Sequence, residues 1–591
     1  MRIAALVKQI PSFEKMQLGP DGRLVRDGIE LELNAYCRRA VSKACELATE
    51  RGGSSVTVIT LGPPSAEDAL RESIAWGLQR DVEIDGVLVS DPAFAGSDTL
   101  ATARALAATL DHLGRFDLVL AGRNSLDADT GQVGPELAQL LDMPFMTGVR
   151  FLALEGETLN VRCEHDDGWL QTELALPAVL SCAERLCEPA KVDPDGRAAV
   201  PAELIRVLDA SALGAGPWGQ DASPTRVGPV RVIAEERVLA WWPDASVEEQ
   251  VRNAVAELHR RGALDPGVVD DDHAPVPAPR EANNGPVVAV VVEPARERLT
   301  AELLASAALV AEQIDGRVVA ITVEESDTDA IGGHGADAVV QLQGSHVEED
   351  VARGLADWAR DNGPWAIVAG STAWGREVAS RAAAALGAGL TGDAIGLEVE
   401  DGRLVAWKPA FGGQLVAAIT ATSPVQMATV RAGMLPRLTP RTFRAPVTTR
   451  AVEPRGRVRV LARTRDDDLD VLAEADAVVG VGVGVDPTDY PMLDPLLHAL
   501  GAELAATRKV TDQGWLPRAR QIGITGRSVA PRLFVSIGAS GKFNHSVGVR
   551  AARTVLCINS ASSAKMFGAA DVGIVGDYRA VVPLLVAALS G

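Results

Sequence analysis

The stretch Gln521–Asp577 constrains the fold more than any other part of the chain. Leu533–Ile537 reads as a buried strand, and Gly538, Ser540 and Gly541 open a turn after it. Thr554–Ile558 is a second apolar strand ending at Asn559, and Val572–Val575 a third ending at Gly576 and Asp577. Strands apolar on both faces that end in Gly, Ser, Asn or Asp predict a parallel α/β sheet. Such sheets bind ligands beyond the carboxyl ends of their strands. Glycine lets a backbone approach a ligand there, and free N–H groups hold phosphate.

The beginning of the chain follows the same grammar. Ile3–Val7, Ser55–Thr60, Val87–Ser90 and Asp117–Leu120 read as strands, with helices at Arg38–Arg51, Leu70–Leu78 and Thr99–Leu113 between them. This alternation predicts a doubly wound parallel sheet. The loop Arg123–Pro135 follows the fourth strand. Thr130, Gly131, Gln132 and Gly134 put amides and a hydroxyl at a helix N-terminus, which is anion-cradle chemistry. The carboxylates of Asp127 and Asp129 suit ribose hydroxyls or a cation. A capped helix start after a loop accounts for the same residues without a ligand.

Ser246–Arg261 reads as the last helix of the first half, and Gly262–Pro286, rich in Pro, Asp, Asn and Gly, as a linker. A strand then restarts at Val287–Val292, and an internal echo appears. Val119–Gly122 recurs as Val368–Gly370, and Leu154–Leu159 as Val399–Leu404, at almost unchanged spacing. One α/β unit has been used twice. The second copy carries Ser371–Arg376 where the first has its Asp127–Gly134 loop, so the two should not both hold a nucleotide. Pro436–Asp467, rich in Arg and Pro, reads as an extended connector rather than a core element.

At 591 residues the chain has room for about three or four domains. Its formal charge of −22 argues against nucleic acid and against an anionic membrane surface, and suits either steering of a basic protein partner or solubility alone. The start MRIAALVKQI has no secretory pattern, and no apolar run reaches the roughly 18 residues of a membrane span. The six cysteines form no CxxC pair and no His/Cys cluster with metal spacing. A cytoplasmic protein without a metal site is expected.

The C-terminal stretch resembles the FAD-binding domain of the electron transfer flavoprotein alpha subunit. The matching residues, in order, include Gln521, Gly523, Thr525, Gly526, Pro531, Phe534, Ser540, Gly541, His545, Asn559, Asp571, Gly573 and Asp577. Residues 287–435 resemble the N-terminal domain of that subunit, including Val430-Arg431-Ala432-Gly433. Residues 1–264 resemble the beta subunit, through Leu6–Pro11, Asn34–Cys37 and the run Asp127–Pro135. That run is closer to the version in members with a second FAD than to the version that binds AMP. The pattern departs at Val483, where the family has arginine, at Lys542 and Asn544, and at Ser560–Lys565. After Leu186-Cys187-Glu188-Pro189, which matches the start of the family's partner-recognition loop, the lysine-rich run is missing.

The resemblance implies a fused chain, beta-like half first, forming a pseudo-heterodimer in one polypeptide. It implies two related doubly wound parallel-sheet domains of the adenine nucleotide alpha hydrolase type, at 1–264 and 287–445, with a linker at 265–286. A Rossmann-like FAD-binding domain would fill 446–591. FAD would be held by Arg508 over the ring, Gln521 and Thr525 near N5 and O4, with Gly526 beside them, and His545 near O2. Ser540, Gly541 and Asn559 would take the pyrophosphate and adenosine part, and Asp577 the adenosine end. Positive charge or a donor near O2 stabilises charge gained by the ring. A second FAD or AMP would be held by Leu6, Asn34, Cys37, Asp127, Asp129, Thr130, Gly131, Gln132, Val133 and Gly134. The function implied is an FAD electron carrier. It would run from a flavin-linked dehydrogenase to an acceptor like electron-transfer flavoprotein:quinone oxidoreductase, using a recognition loop near Leu186. One alternative is electron bifurcation from NADH with a second FAD. Another, of a different class, is a non-redox adenine-nucleotide-binding regulator.

Overall fold

A computed structural model describes residues 1–11, 28–166, 168–232, 237–265, 274–280, 285–410, 415–436, 438–465, 471–472, 475–523, 526–527 and 529–589. The short apolar runs become buried strands wherever helices cover both their faces. Ten strands make the first sheet. Their spatial order is Ile205–Leu208, Glu83–Val89, Ser55–Leu61, Arg2–Val7, Leu118–Gly122, Ala178–Cys182, Phe145–Glu155, Thr158–His165, Gly168–Ala175 and Val458–Arg465. The first seven pair in parallel and the last three join antiparallel.

Seven parallel strands make the second sheet: Val447–Ala451, Ala338–Gln343, Arg317–Thr322, Val287–Val291, Ala366–Gly370, Gln426–Val430 and Gly389–Ala394. Its connectivity repeats the first seven strands of the first sheet place by place. The echoed Val119–Gly122 and Val368–Gly370 both lie on the strand next to their unit's opening strand. The internal repeat read in the sequence is therefore a repeat of topology.

The third sheet is parallel and six-stranded, in the order Ala240–Trp241, Val572–Val575, Thr554–Asn559, Leu533–Ile537, Ala477–Val481 and Ala502–Ala506. The chain is thus α/β, with two related doubly wound units and a Rossmann-like third. Each sheet is sandwiched between two apolar clusters, such as those around Leu120 and Val119 on opposite faces of the first.

Three segments cross between units. Thr225–Val232 pairs antiparallel with Leu415–Ala421 of the second unit's hairpin. Ala240–Trp241 and the helix Val247–Arg260 lie on the third unit, where Val251, Ala254, Val255 and Leu258 enter its core. The Pro436–Asp467 connector is more than a tether. Val447–Ala451 edges the second sheet and Val458–Arg465 edges the first, with Val458 reaching the first core. Its arginines alternate with apolar residues and sit at an exposed edge, which hid the strands from composition alone. Within the expected linker, Val276 is buried and donates from its amide to the Thr439 carbonyl at 3.0 Å.

Candidate functional site

The carboxyl ends of the third sheet's strands form one continuous rim. The Gly482 amide donates to the Ile537 carbonyl at 2.8 Å, Gly538 to Ile558 at 3.0 Å, and Gly576 to Asn559 at 3.0 Å. Thr507 donates to Val481 at 2.9 Å and Ile522 to Ala506 at 2.9 Å. Asn559 braces two loops at once. Its Nδ2 donates to the Ala539 carbonyl at 2.8 Å and its Oδ1 accepts from Ala561 at 3.0 Å. Gly541 has φ +68°, and a Cβ there would stand 2.1 Å from the Met566 nitrogen. Only glycine fits this close turn.

The expected FAD residues divide by position on this rim. Gln521 is buried, and its Oε1 accepts from the Thr511 hydroxyl at 2.8 Å. His545 is buried against Phe534, with Nδ1 3.3 Å from the Ile522 carbonyl oxygen. Burial holds its pKa below the usual 6.5. Its Nε2 is buried without a partner. Arg508 is half exposed and donates to Glu184 of the first unit and to Asp512, each at 3.3 Å. Ser540 and Asp577 are exposed, and Asp577 accepts from the Arg579 amide at 2.9 Å as a helix cap. Thr525 lies outside the described residues. Val483, on the glycine loop, is 44% exposed where the family pattern has a cation.

This rim fits FAD. It offers a buried imidazole nitrogen in need of a partner, a glycine turn that a Cβ would fill, and loops from five strands turned to one side.

The loop of the first unit is braced by its own side chains. Asn34 is buried and works as a brace: its Nδ2 donates to the Asn124 carbonyl at 2.8 Å, and its Oδ1 accepts from Leu126 at 3.3 Å. Leu6 and Cys37 are buried, and burial pushes the Cys37 thiol pKa up. Asp127 is neutralised by Lys8 at 2.8 Å. Asp129 holds a left-handed φ of +46°, with its carboxylate on the Asn124 amide, and Gly131 follows at +64°. Gln132 turns inward: its Oε1 accepts from Thr99 at 2.9 Å and its Nε2 donates to Leu390 of the second unit at 3.3 Å. Val133 and Gly134 open the helix Val133–Leu140, and Thr130 is half exposed before it. The Asp127 and Gln132 side chains are thus engaged within the protein. Near Leu186, the chain is pinned by Arg38, which accepts from the Ala190 amide at 3.2 Å and donates to the Ala190 carbonyl at 2.8 Å.

Between rim and loop lies a cavity of about 610 Å³, walled by all three units. Asp129 and Gly526 both face it. Sequence reasoning passed over most of its other walls, including Tyr36, Arg123, Arg150, Trp169 and Arg518. They lie far apart in the chain, and no local pattern joins them.

Residues 21–204 and 288–455 match the electron transfer flavoprotein domain, and residues 471–550 the electron transfer flavoprotein FAD-binding domain. The chain is 34% identical over 268 residues to the electron transfer flavoprotein subunit beta of Thermoanaerobacterium thermosaccharolyticum, covering 45% of this chain and 100% of that one. It is 31% identical over 276 residues to the alpha subunit of the same organism, covering 45% of this chain and 83% of that one. A third relative, 36% identical over 230 residues, is the caffeyl-CoA reductase-Etf complex subunit CarD of Acetobacterium woodii, covering 38% of this chain and 86% of that one. Among the described residues, no helix is long and apolar enough to cross a membrane.

Proposed function

Because the chain belongs to the electron transfer flavoprotein family, we propose that it is a one-chain FAD electron carrier. It takes electrons from a flavin-linked dehydrogenase and delivers them toward a quinone-linked acceptor in the cytoplasm. The observation that carries this reading is the continuous rim with the unpartnered, buried Nε2 of His545. FAD, when bound, accepts electrons from a donor and releases them one at a time. The chain's residues do the rest. Gln521 and Gly526 shape the wall beside the ring, and His545 offers it a neutral imidazole. Ser540, Gly541 and Asn559 would hold the phosphates, and Asp577 the adenosine end. Arg508, which pairs with Glu184, would cover the ring. Partner docking uses the surface near Leu186.

Exchanging Arg508 for alanine tests this. The flavin absorbance of the variant should shift, and its flavin retention should fall. An unchanged spectrum would assign Arg508 to its pair with Glu184 alone.

A second reading adds a second FAD on the Asp127–Gly134 loop and bifurcation from NADH. It is favoured by the cavity that Asp129 faces, which has room for more than an AMP. Two relatives carry a reductase in their names, caffeyl-CoA reductase in one and acryloyl-CoA reductase in the other. One FAD and one AMP per chain would support the plain carrier; two FAD would support this reading.

A further inference from the structure

We infer that the Asp166 carboxylate is a built-in anion that fills the helix start of the second unit. That is the position which the repeat would otherwise give to a nucleotide phosphate, so Asp166 confines such binding to the first unit. The nucleotide side of this rests on the reading of the Asp127–Gly134 loop proposed above; the filling of the second unit does not.

The two units repeat place by place, and in each the strand beside the opening strand leads to a helix. Leu118–Gly122 leads to Val133–Leu140 in the first, and Ala366–Gly370 to Ala373–Leu386 in the second. The first amides of a helix lack partners inside it, and its dipole draws negative charge to that end. The two copies meet this demand in different ways. In the first unit the loop Arg123–Gln132 intervenes, and Gln132 makes no side-chain cap bond. In the second only Ser371 and Thr372 intervene. Thr372 Oγ1 accepts from the Gly375 amide at 2.9 Å, and the Ala373 amide donates to Asp166 Oδ2. Asp166 comes from the first unit, at the hairpin tip between Thr158–His165 and Gly168–Ala175.

The group that stands there is ionised. Burial opposes its charge, but Arg123, the Ala373 amide, Arg376 and Arg296 together hold its pKa below the usual 3.8. A helix amide with guanidinium groups around it is the donor set that holds a phosphate oxygen. A phosphate approaching this helix would meet a filled position and a like charge. The tip is also fastened from the third unit. Arg527 Nη2 donates to the Asp166 carbonyl at 2.8 Å, and the Arg527 amide donates to the Gln521 carbonyl at 2.8 Å. The plug is thus tied to the rim as well as to the helix it fills.

The test uses the full chain with FAD and AMP in excess, so that the first unit's loop is filled by either. Thermal midpoints of the parent, Asp166→Ala and Asp166→Ser are followed as inorganic phosphate replaces chloride at constant ionic strength. Phosphate binding is titrated in parallel by calorimetry. Each truncation should lower the midpoint by about 2–4 °C. Phosphate should restore it saturably, binding at one site that the parent lacks; a truncation that folds only in phosphate gives the same support. Arg376→Gln placed in the Asp166→Ala chain should weaken that binding about tenfold. The inference is overturned if phosphate rescues neither truncation, if it raises the parent's midpoint equally, or if Arg376→Gln leaves the gained binding unchanged. Nucleotides released by acid from the parent are counted separately. A parent that holds FAD in the third unit alone would remove the nucleotide reading of the first unit, while the phosphate rescue still decides the role of Asp166.

Discussion

Glu136 shows how one residue ties the loop to the body of the first unit. Its Oε1 accepts from Thr99 at 3.0 Å, the same hydroxyl that serves Gln132. Burial, with Asp98 nearby, pushes its pKa from 4.5 up to about 8. A carboxyl whose folded pKa is raised binds its proton more tightly when folded. Its contribution is therefore full below pH 4.5 and lost as pH rises toward 8. Glu136→Gln should flatten that part of the stability–pH curve in urea titrations between pH 5 and 8; a parallel curve for parent and variant would contradict this. Gly541 makes the complementary case. Alanine there meets a left-handed φ and the Met566 backbone. Gly541→Ala should cost at least about 1–2 kcal/mol by urea unfolding and lower flavin retention; an unshifted midpoint would show that the turn relaxes freely. At this scale the sequence was only partly legible. The types and order of Gln521, His545, Asn559 and Asp577 pointed to the rim. It could not show that Asp127 is already paired with Lys8, or that Gln132 faces the second unit. Both depend on contacts between distant parts of the chain.

Among elements, the arm at 237–265 matters most. Asp571 accepts from Arg237, from Arg261 at 3.0 Å and from the Val555 amide at 2.8 Å. Its carboxylate is nearly buried, and it fastens the arm to the third sheet. Removing one partner of a buried pair costs about 3–5 kcal/mol because the other charge is stranded. Asp571→Ala should lower the unfolding midpoint of the third unit by that order, read as flavin release during denaturation. Release at the parent's midpoint would show that apolar packing of Val251, Ala254 and Leu258 holds the arm alone. The strands that carry the site were plain in the sequence: Leu533–Ile537 forms as read, and the neighbouring strand runs Thr554–Asn559, one residue beyond its expected end. These are continuous apolar runs with polar stops. Val458–Arg465 was not plain, because an edge strand needs no apolar run on its outer face.

At the level of the whole molecule, the two halves are joined by sheets as well as by chain. Thr225–Val232, Ala240–Trp241 and Val458–Arg465 each complete a sheet outside their own unit. Cutting at a protease site inserted between Asp265 and Ala274 should therefore leave one 1:1 complex on size exclusion; separate peaks would mean that covalent linkage holds the halves. The repeated unit was legible from the echo of Val119–Gly122 in Val368–Gly370. The junction cavity was not, since only the assembled fold brings Arg123, Arg150 and Arg518 to one wall. The central claim is that the third unit holds FAD. The most direct measurement is the visible spectrum of the purified chain, with the nucleotides released by acid identified and counted. A flavin spectrum and at least one FAD per chain are expected. A colourless chain that takes up no FAD on reconstitution, carrying only an adenine nucleotide, would contradict it.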